Sequence, residues 1–255
     1  MTQQDAAIVL EVRGLEKHFG GVAAARDINV TARHGEQIAI VGSNGAGKTT
    51  FVNMVTGYLK PSGGTIRFRG QDVTGLDPRQ TARAGIRRSF QIAQVFGQMT
   101  VLENMISADL AIDAGPGAIW RASLSRTRID RARKELQHFG LTQHEGRLAG
   151  TLPQGIRKQL DIAMASVGAP ELMLLDEPTS GVSVDEKLDM MDRVIRPLRE
   201  TGATIMFIEH DIDIVRNYAH RVIAFYEGTI LADGDVATVL ADAKVREYVI
   251  GDKHA

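Results

Sequence analysis

The sequence predicts an α/β fold: a parallel-sheet core, a small antiparallel β portion and a helical insert. Three observations point there. Gln37-Ile-Ala-Ile-Val41 reads as a short buried strand that runs into Gly42-Ser-Asn-Gly-Ala-Gly-Lys48-Thr49, and Thr50 to Thr56 can open a helix behind it. Leu172-Met-Leu-Leu175 and Thr204-Ile-Met-Phe-Ile208 are continuous apolar runs, the pattern of strands covered on both faces of a parallel sheet. Between about 100 and 165 the period changes: Ile129, Ala132, Leu136 and Phe139 recur at helix spacing.

Along the chain, Ile8-Val-Leu-Glu-Val12 and Asp27-Ile-Asn-Val-Thr31 precede the loop, and Thr65-Ile-Arg-Phe-Arg69 follows it behind Pro61-Ser-Gly-Gly64. All three alternate apolar with polar residues, as half-buried antiparallel strands do. Gly115-Pro-Gly117 breaks the helical stretch into a loop. For Ala118-Ile-Trp120-Arg-Ala-Ser-Leu124, a partner contact and local packing of the tryptophan both stay open. Val236 to Ile250 reads as two short amphipathic helices. The expected organisation is a single domain over 1–255. Within it, 1–98 holds the antiparallel strands and the first part of the core, 99–166 the helices, 167–235 the rest of the core and 236–255 the terminal helices.

The chain has 255 residues, a net charge of −1 and no cysteine. That length allows a sizeable core. The lack of cysteine excludes disulfides, thiol catalysis and a cysteine metal cluster, and it fits a reducing compartment. Met1-Thr-Gln-Gln-Asp5 lacks the pattern of a secretory leader, and no apolar run is long enough to span a bilayer, so a link to a membrane is expected only through a partner. Balanced charge gives no field for nucleic acid. The basic runs Ile86-Arg87-Arg88 and Arg121 to Arg133 read as solvated helix faces.

The loop matches G-x-x-x-x-G-K-[ST] at every fixed position, which indicates a bound nucleoside triphosphate. Gly42, Gly45 and Gly47 allow backbone N–H groups to close on phosphate oxygens, with Ser43, Asn44 and Ala46 between them and Thr50 behind. Lys48 is expected on the β- and γ-phosphates and the Thr49 hydroxyl on Mg²⁺. Asp176, ending an apolar strand, is the expected metal-side carboxylate, and Glu177 can polarise the attacking water. Taken alone, this pair is equally a polar strand terminus. Gln91 is a candidate to coordinate Mg²⁺ or water, and His210, just after the second apolar strand, to bond a phosphate oxygen. Each of these two has a bland reading on its own.

In this order, phosphate loop, Gln91, helical insert, Asp176-Glu177 and His210, the chain closely resembles the ATP-binding subunits of ABC transporters over essentially all of its length. The resemblance implies a P-loop NTPase with a RecA-like core, ATP and Mg²⁺ as ligands, Asp176 reaching the metal through water, and hydrolysis coupled to transport. It implies that Phe19, in Lys17-His-Phe19-Gly-Gly21, stacks on adenine, although type and position alone would also suit core packing. It further implies that Gln91 is the Q-loop residue and His210 the switch histidine. The implied partners are a second ABC ATPase subunit, two transmembrane permease subunits docked on the helical insert and, indirectly, a solute-binding protein. The implied location is the cytoplasmic face of the inner membrane. Phe19-Gly-Gly-Val22, Arg88-Ser-Phe-Gln91, Thr100-Val-Leu-Glu-Asn104 and Ile208-Glu-His-Asp211 look most like the branched-chain amino acid type, whose relatives also serve other small polar solutes.

Two departures stand out. Where the family's Leu-Ser-Gly-Gly-Gln signature contacts the partner's nucleotide, this chain has Leu152-Pro153-Gln154-Gly155-Ile156. Pro153 offers neither a hydroxyl nor an N–H. Ser183 stands where the family usually has an aspartate. Lys158-Gln-Leu-Asp-Ile-Ala163 keeps the family pattern downstream. Intact residues for its own nucleotide beside a weakened signature suggest a heterodimer with a different ATPase chain. Competing readings are a soluble ABC ATPase outside transport and a non-catalytic, ATP-gated partner.

Overall fold

The computed structural model describes residues 7–113 and 125–251. A hairpin of β1 (Ile8–Phe19) and β2 (Val22–Arg33) leads into β3 (Gln37–Gly42), and α1 (Lys48–Val55) follows the phosphate loop. Next come β4 (Gly63–Phe68), β5 (Gln71–Asp72), α2 (Pro78–Ala84) and β6 (Ile86–Arg88). The helical part holds α3 (Val101–Asp113), α4 (Arg126–His138) and α5 (Gln154–Ser166). The chain then returns as β7 (Leu172–Asp176), α6 (Lys187–Glu200), β8 (Thr204–Ile208), α7 (Ile212–Tyr218), β9 (Arg221–Tyr226), β10 (Thr229–Asp235) and α8 (Val236–Ala241).

These strands make an antiparallel sheet in the order β2-β1-β4-β5 and a six-stranded sheet in the order β10-β9-β3-β8-β7-β6. In the larger sheet only β10 runs antiparallel, pairing with β9. Its central strands are apolar throughout because each face meets a different core. Ile38, Ile40, Leu174, Met206 and Phe225 join Phe51 and Val52 of α1 and Leu10 and Ile66 of the antiparallel sheet. Ala39, Val41, Met173, Leu175 and Phe207 point the other way, to Met105, Leu136, Leu160, Met191 and Val215 of the helices. Asp176 pairs in register with Ile208, so the residues after β7 and β8 leave the sheet side by side.

The α/β architecture matches the sequence reading, with differences at the edges. The N-terminal strands are longer than their alternating cores because β-bulges let β1 bend and continue past Val12. Helix α1 begins at Lys48, two residues earlier than Thr50, directly behind the loop. The C-terminal run holds α8, a three-residue helix Ala243–Val245 and one π-helical turn, Arg246–Ile250. The basic runs need correcting. Arg87 and Arg88 lie on β6 rather than on a helix, and the Arg88 side chain is only 7% exposed. Arg128 is on a helix but buried, its Nε 2.8 Å from Asp109. Gly115-Pro-Gly117 and Trp120 lie outside the described residues. Among those residues, no helix is long and apolar enough to cross a membrane.

Candidate active site

The phosphate loop is shaped by what presses on it. A Cβ at position 42 would stand 2.6 Å from the carbonyl oxygen of Phe225, and one at position 47 would stand 2.9 Å from that of Ala24. Gly42 and Gly47 are therefore required by the close approach of neighbouring backbone. Gly45, with φ 79° and open space around it, is required by conformation alone. Ala46 is buried and anchors the loop by accepting from Gly228 N–H at 3.0 Å. Ser43, Asn44, Gly45 and Thr49 are exposed, and Thr50 is half-buried. Lys48 folds over the loop, its Nζ donating to the carbonyls of Gly42 at 2.6 Å and Ser43 at 2.9 Å. Burial lowers the pKa of this ammonium, opposed by the charges of Glu177 and Asp176.

Gln91, Glu177 and His210 converge beside the loop. Gln91 Nε2 donates to Glu177 Oε2 at 3.0 Å, and His210 Nε2 lies 3.3 Å from Glu177 Oε1. The register of β7 with β8 accounts for the second contact. Glu177 has φ 45°, a conformation disfavoured for a residue with a side chain, and its N–H donates to Ile208 O at 3.1 Å. Asp176 sits behind, 4% exposed, with Oδ2 accepting from Arg88 at 2.9 Å. Arg88 also donates to Asn53 Oδ1 at 2.5 Å and lies over the ring of Phe90, 4.7 Å from its centroid. Burial raises the pKa of the Asp176 carboxyl, while Arg88 and Lys158 favour its ionised form.

Helix α5 braces this cluster from below. The buried Lys158 ammonium donates to the carbonyls of Phe90, Gln91 (3.1 Å) and Asp176 (2.7 Å). One turn on, Asp161 accepts from the N–H groups of Phe90 at 3.1 Å and Gln94 at 2.9 Å. One helix thus grips the backbone on both sides of Gln91 and the end of β7. In the sequence, Lys158 and Asp161 stand out only as part of a run that keeps the family pattern. Arg88 reads there as part of a solvated helix face. A signal was present: charged residues inside an apolar helix face and at the end of a strand are costly unless paired.

Phe19 lies at the tip of the β1–β2 hairpin, 52% exposed, with Lys17 Nζ 5.2 Å from its ring centroid, which excludes the core-packing alternative. The signature segment lies apart from the cluster. Leu152 is buried, Pro153 occupies the N-cap of α5 without a side-chain cap, and Gln154 packs over Gly181. Pro153, Gln154, Gly155, Gly181 and Val182 contribute to a cavity of about 420 Å³. Ser183 is exposed, its hydroxyl 2.5 Å from Glu186 Oε2.

The residues present fit Mg²⁺. The candidate donors are a hydroxyl (Thr49), a carboxamide (Gln91) and a carboxylate (Asp176), the oxygen ligands that Mg²⁺ takes beside phosphate and water. Thr49 is exposed at the start of α1, and Asp176, engaged with Arg88 through Oδ2, suits contact through water.

Comparison with known proteins agrees with this geometry. The family model described as ABC transporter matches residues 25–180. The chain is 36% identical to the high-affinity branched-chain amino acid transport ATP-binding protein LivG of Escherichia coli K12, covering 96% of this chain and 98% of that protein. It is 32% identical to BraF of Pseudomonas aeruginosa, a protein of the same description, with the same coverage. Among solved structures, a nucleotide-free ATP-binding cassette from an ABC transporter superposes with a TM-score of 0.84 at 30% identity, covering 94% of this chain and 98% of that one. The ADP conformation of an ABC transporter cassette gives 0.84 at 31% identity with the same coverage. The chain belongs to the ABC transporter family, as one of its ATP-binding, ATP-hydrolysing cassettes.

Proposed function

We propose that this chain energises uptake of branched-chain amino acids or a related small polar solute, and that Glu177 is the residue that turns ATP binding into hydrolysis. The observation that carries the reading is the seat of Glu177. Gln91 holds one carboxylate oxygen and His210 approaches the other, one residue past Asp176 and beside Lys48. Glu177 takes a proton from water as its oxygen bonds to the γ-phosphorus, the bond to the β–γ bridging oxygen breaks, and ADP leaves. Lys48 exchanges the carbonyls of Gly42 and Ser43 for phosphate oxygens, and His210 donates to the developing charge. Mg²⁺, held by Thr49, by Gln91 and through water by Asp176, would neutralise phosphate charge. Phe19, at an exposed hairpin tip, suits stacking on adenine.

The partner is a permease pair in the membrane. Ile92, Phe96 and Met99 support this, for they stay exposed at 78%, 56% and 39% on the segment between Gln91 and α3, where permease helices would cover them. Pro153 supports pairing with a different ATPase chain whose signature is complete. The test is affinity capture of the tagged chain from gently solubilised native membranes, with partners identified by mass spectrometry. Two polytopic permeases and a second ATPase are expected, together with ATP-dependent uptake of leucine or a related solute by the reconstituted complex. Recovery of only this chain, or of soluble partners, would overturn the transport reading.

A further inference from the structure

Glu209 precedes His210 and has no part in the hydrolysis described above, yet it is a carboxylate only 4% exposed. A buried carboxylate persists where donors meet it, and here they arrive from two directions. Its Oε1 accepts from the N–H of Thr179 at 3.1 Å and from the Thr179 hydroxyl at 2.7 Å. Its Oε2 accepts from the N–H of His210 at 3.3 Å. Thr179 is itself buried and lies two residues beyond Glu177, on the turn in which Glu177 holds its left-handed backbone. The sheet joins these segments only as far as Glu177 N–H to Ile208 O. Beyond that point the Glu209 side chain takes over the linkage.

We infer that Glu209 is a positioning residue for hydrolysis: its carboxylate ties the turn carrying Glu177 to the strand end carrying His210 and so fixes the separation of the two groups. The residue type follows from the task, because two acceptor oxygens are needed to receive donors on opposite sides. This inference rests on the reading of the site as an ATPase. A shift of about 1 Å in a reacting group can cost on the order of 100-fold in rate, which sets the scale of the effect.

Three variants of the full chain, each with the subunits it assembles with, test the idea by steady-state ATP hydrolysis and thermal melting. Glu209→Ala removes the whole tie. Glu209→Gln keeps an acceptor for Thr179 but turns an amide donor toward the His210 N–H. Thr179→Val removes only the hydroxyl. The expected order is a fall in kcat of about 100-fold, about 10-fold and about 3-fold, with KM for ATP within about 3-fold throughout. If Glu209→Ala does not fold, the other two variants decide. Unchanged kcat in both, with the wild type hydrolysing ATP, would overturn the positioning role. So would a fall in kcat that merely follows the loss of folded protein. Absence of hydrolysis by the wild type would overturn the ATPase reading beneath it.

Discussion

The strand-end cluster and the N-terminus of α5 are two parts of the molecule built by opposite means. Around Asp176 and Glu177, nearly every polar group is cross-linked: Arg88 to Asp176, Gln91 to Glu177, and Lys158 to three carbonyls. At Pro153 the helix starts with no side-chain cap, and the adjoining segment lines a cavity. One region is organised to hold charge. The other starts a helix on a proline that can cap nothing. A chain with this asymmetry suits an assembly in which the partner brings the fuller contact to this chain's nucleotide, while this chain brings a weaker one in return.

The largest expected effect breaks the cross-linked side. Arg88→Met leaves Asp176 buried without its ion-pair partner, and removing one member of such a pair costs up to about 3–5 kcal/mol, readable as a lower urea midpoint. Arg133→Met, at a half-exposed pair with Glu145 3.1 Å away, should cost no more than about 1 kcal/mol. Equal losses in the two variants would mean that the Arg88 pair is not the internal support described here.

The opposite region sharpens the comparison from the other side. Pro153→Ser supplies an N-cap hydroxyl, which should stabilise the chain by about 1 kcal/mol and raise the melting temperature. On the pairing proposed above, it should also raise ATP turnover of the assembled complex by a few-fold, since a donor would then face the partner's nucleotide. No change in either quantity would show that the bare helix start is not what distinguishes this region.

The smallest effect lies where the two regions meet. Lys187, at the start of the helix after Ser183, pairs at 2.8 Å with Asp211, the residue after His210. The hydrogen bond from Lys187 lowers the pKa of the Asp211 carboxyl below its ordinary value. The folded state therefore gains stability above the unfolded pKa, and that gain is lost as pH falls through the lower folded value. For a partly exposed pair it amounts to no more than about 1 kcal/mol. Lys187→Met should remove this much of the acid-side slope in melting temperature below about pH 5. An unchanged slope would mean that the pair contributes nothing to stability.

How far the sequence could be read follows from the same contrast. The phosphate loop with its flanking strand and helix, and the strands β7 and β8, were legible because their signals are local. Each is a fixed spacing or an unbroken apolar run. Gln91 and His210 were legible only through their order along the chain. Arg88, Lys158, Asp161 and Glu209 were not, because each gains its meaning from a partner far away in sequence: Arg88 and Asp176 are 88 positions apart, and Asp161 and Phe90 are 71 apart. A basic pair at the end of a three-residue strand has no period to declare its burial. The left-handed backbone of Glu177 is likewise a product of the tertiary turn, since no glycine marks it.

The most direct test of the central claim compares the wild type with Glu177→Gln in the assembled complex, measuring ATP binding and ATP hydrolysis with Mg²⁺ present. Binding should stay within about 3-fold while kcat falls at least about 100-fold, because the amide keeps the size of the side chain and one acceptor oxygen but loses the group that takes the proton. Hydrolysis that survives the substitution, or that is lost together with binding, would contradict the account.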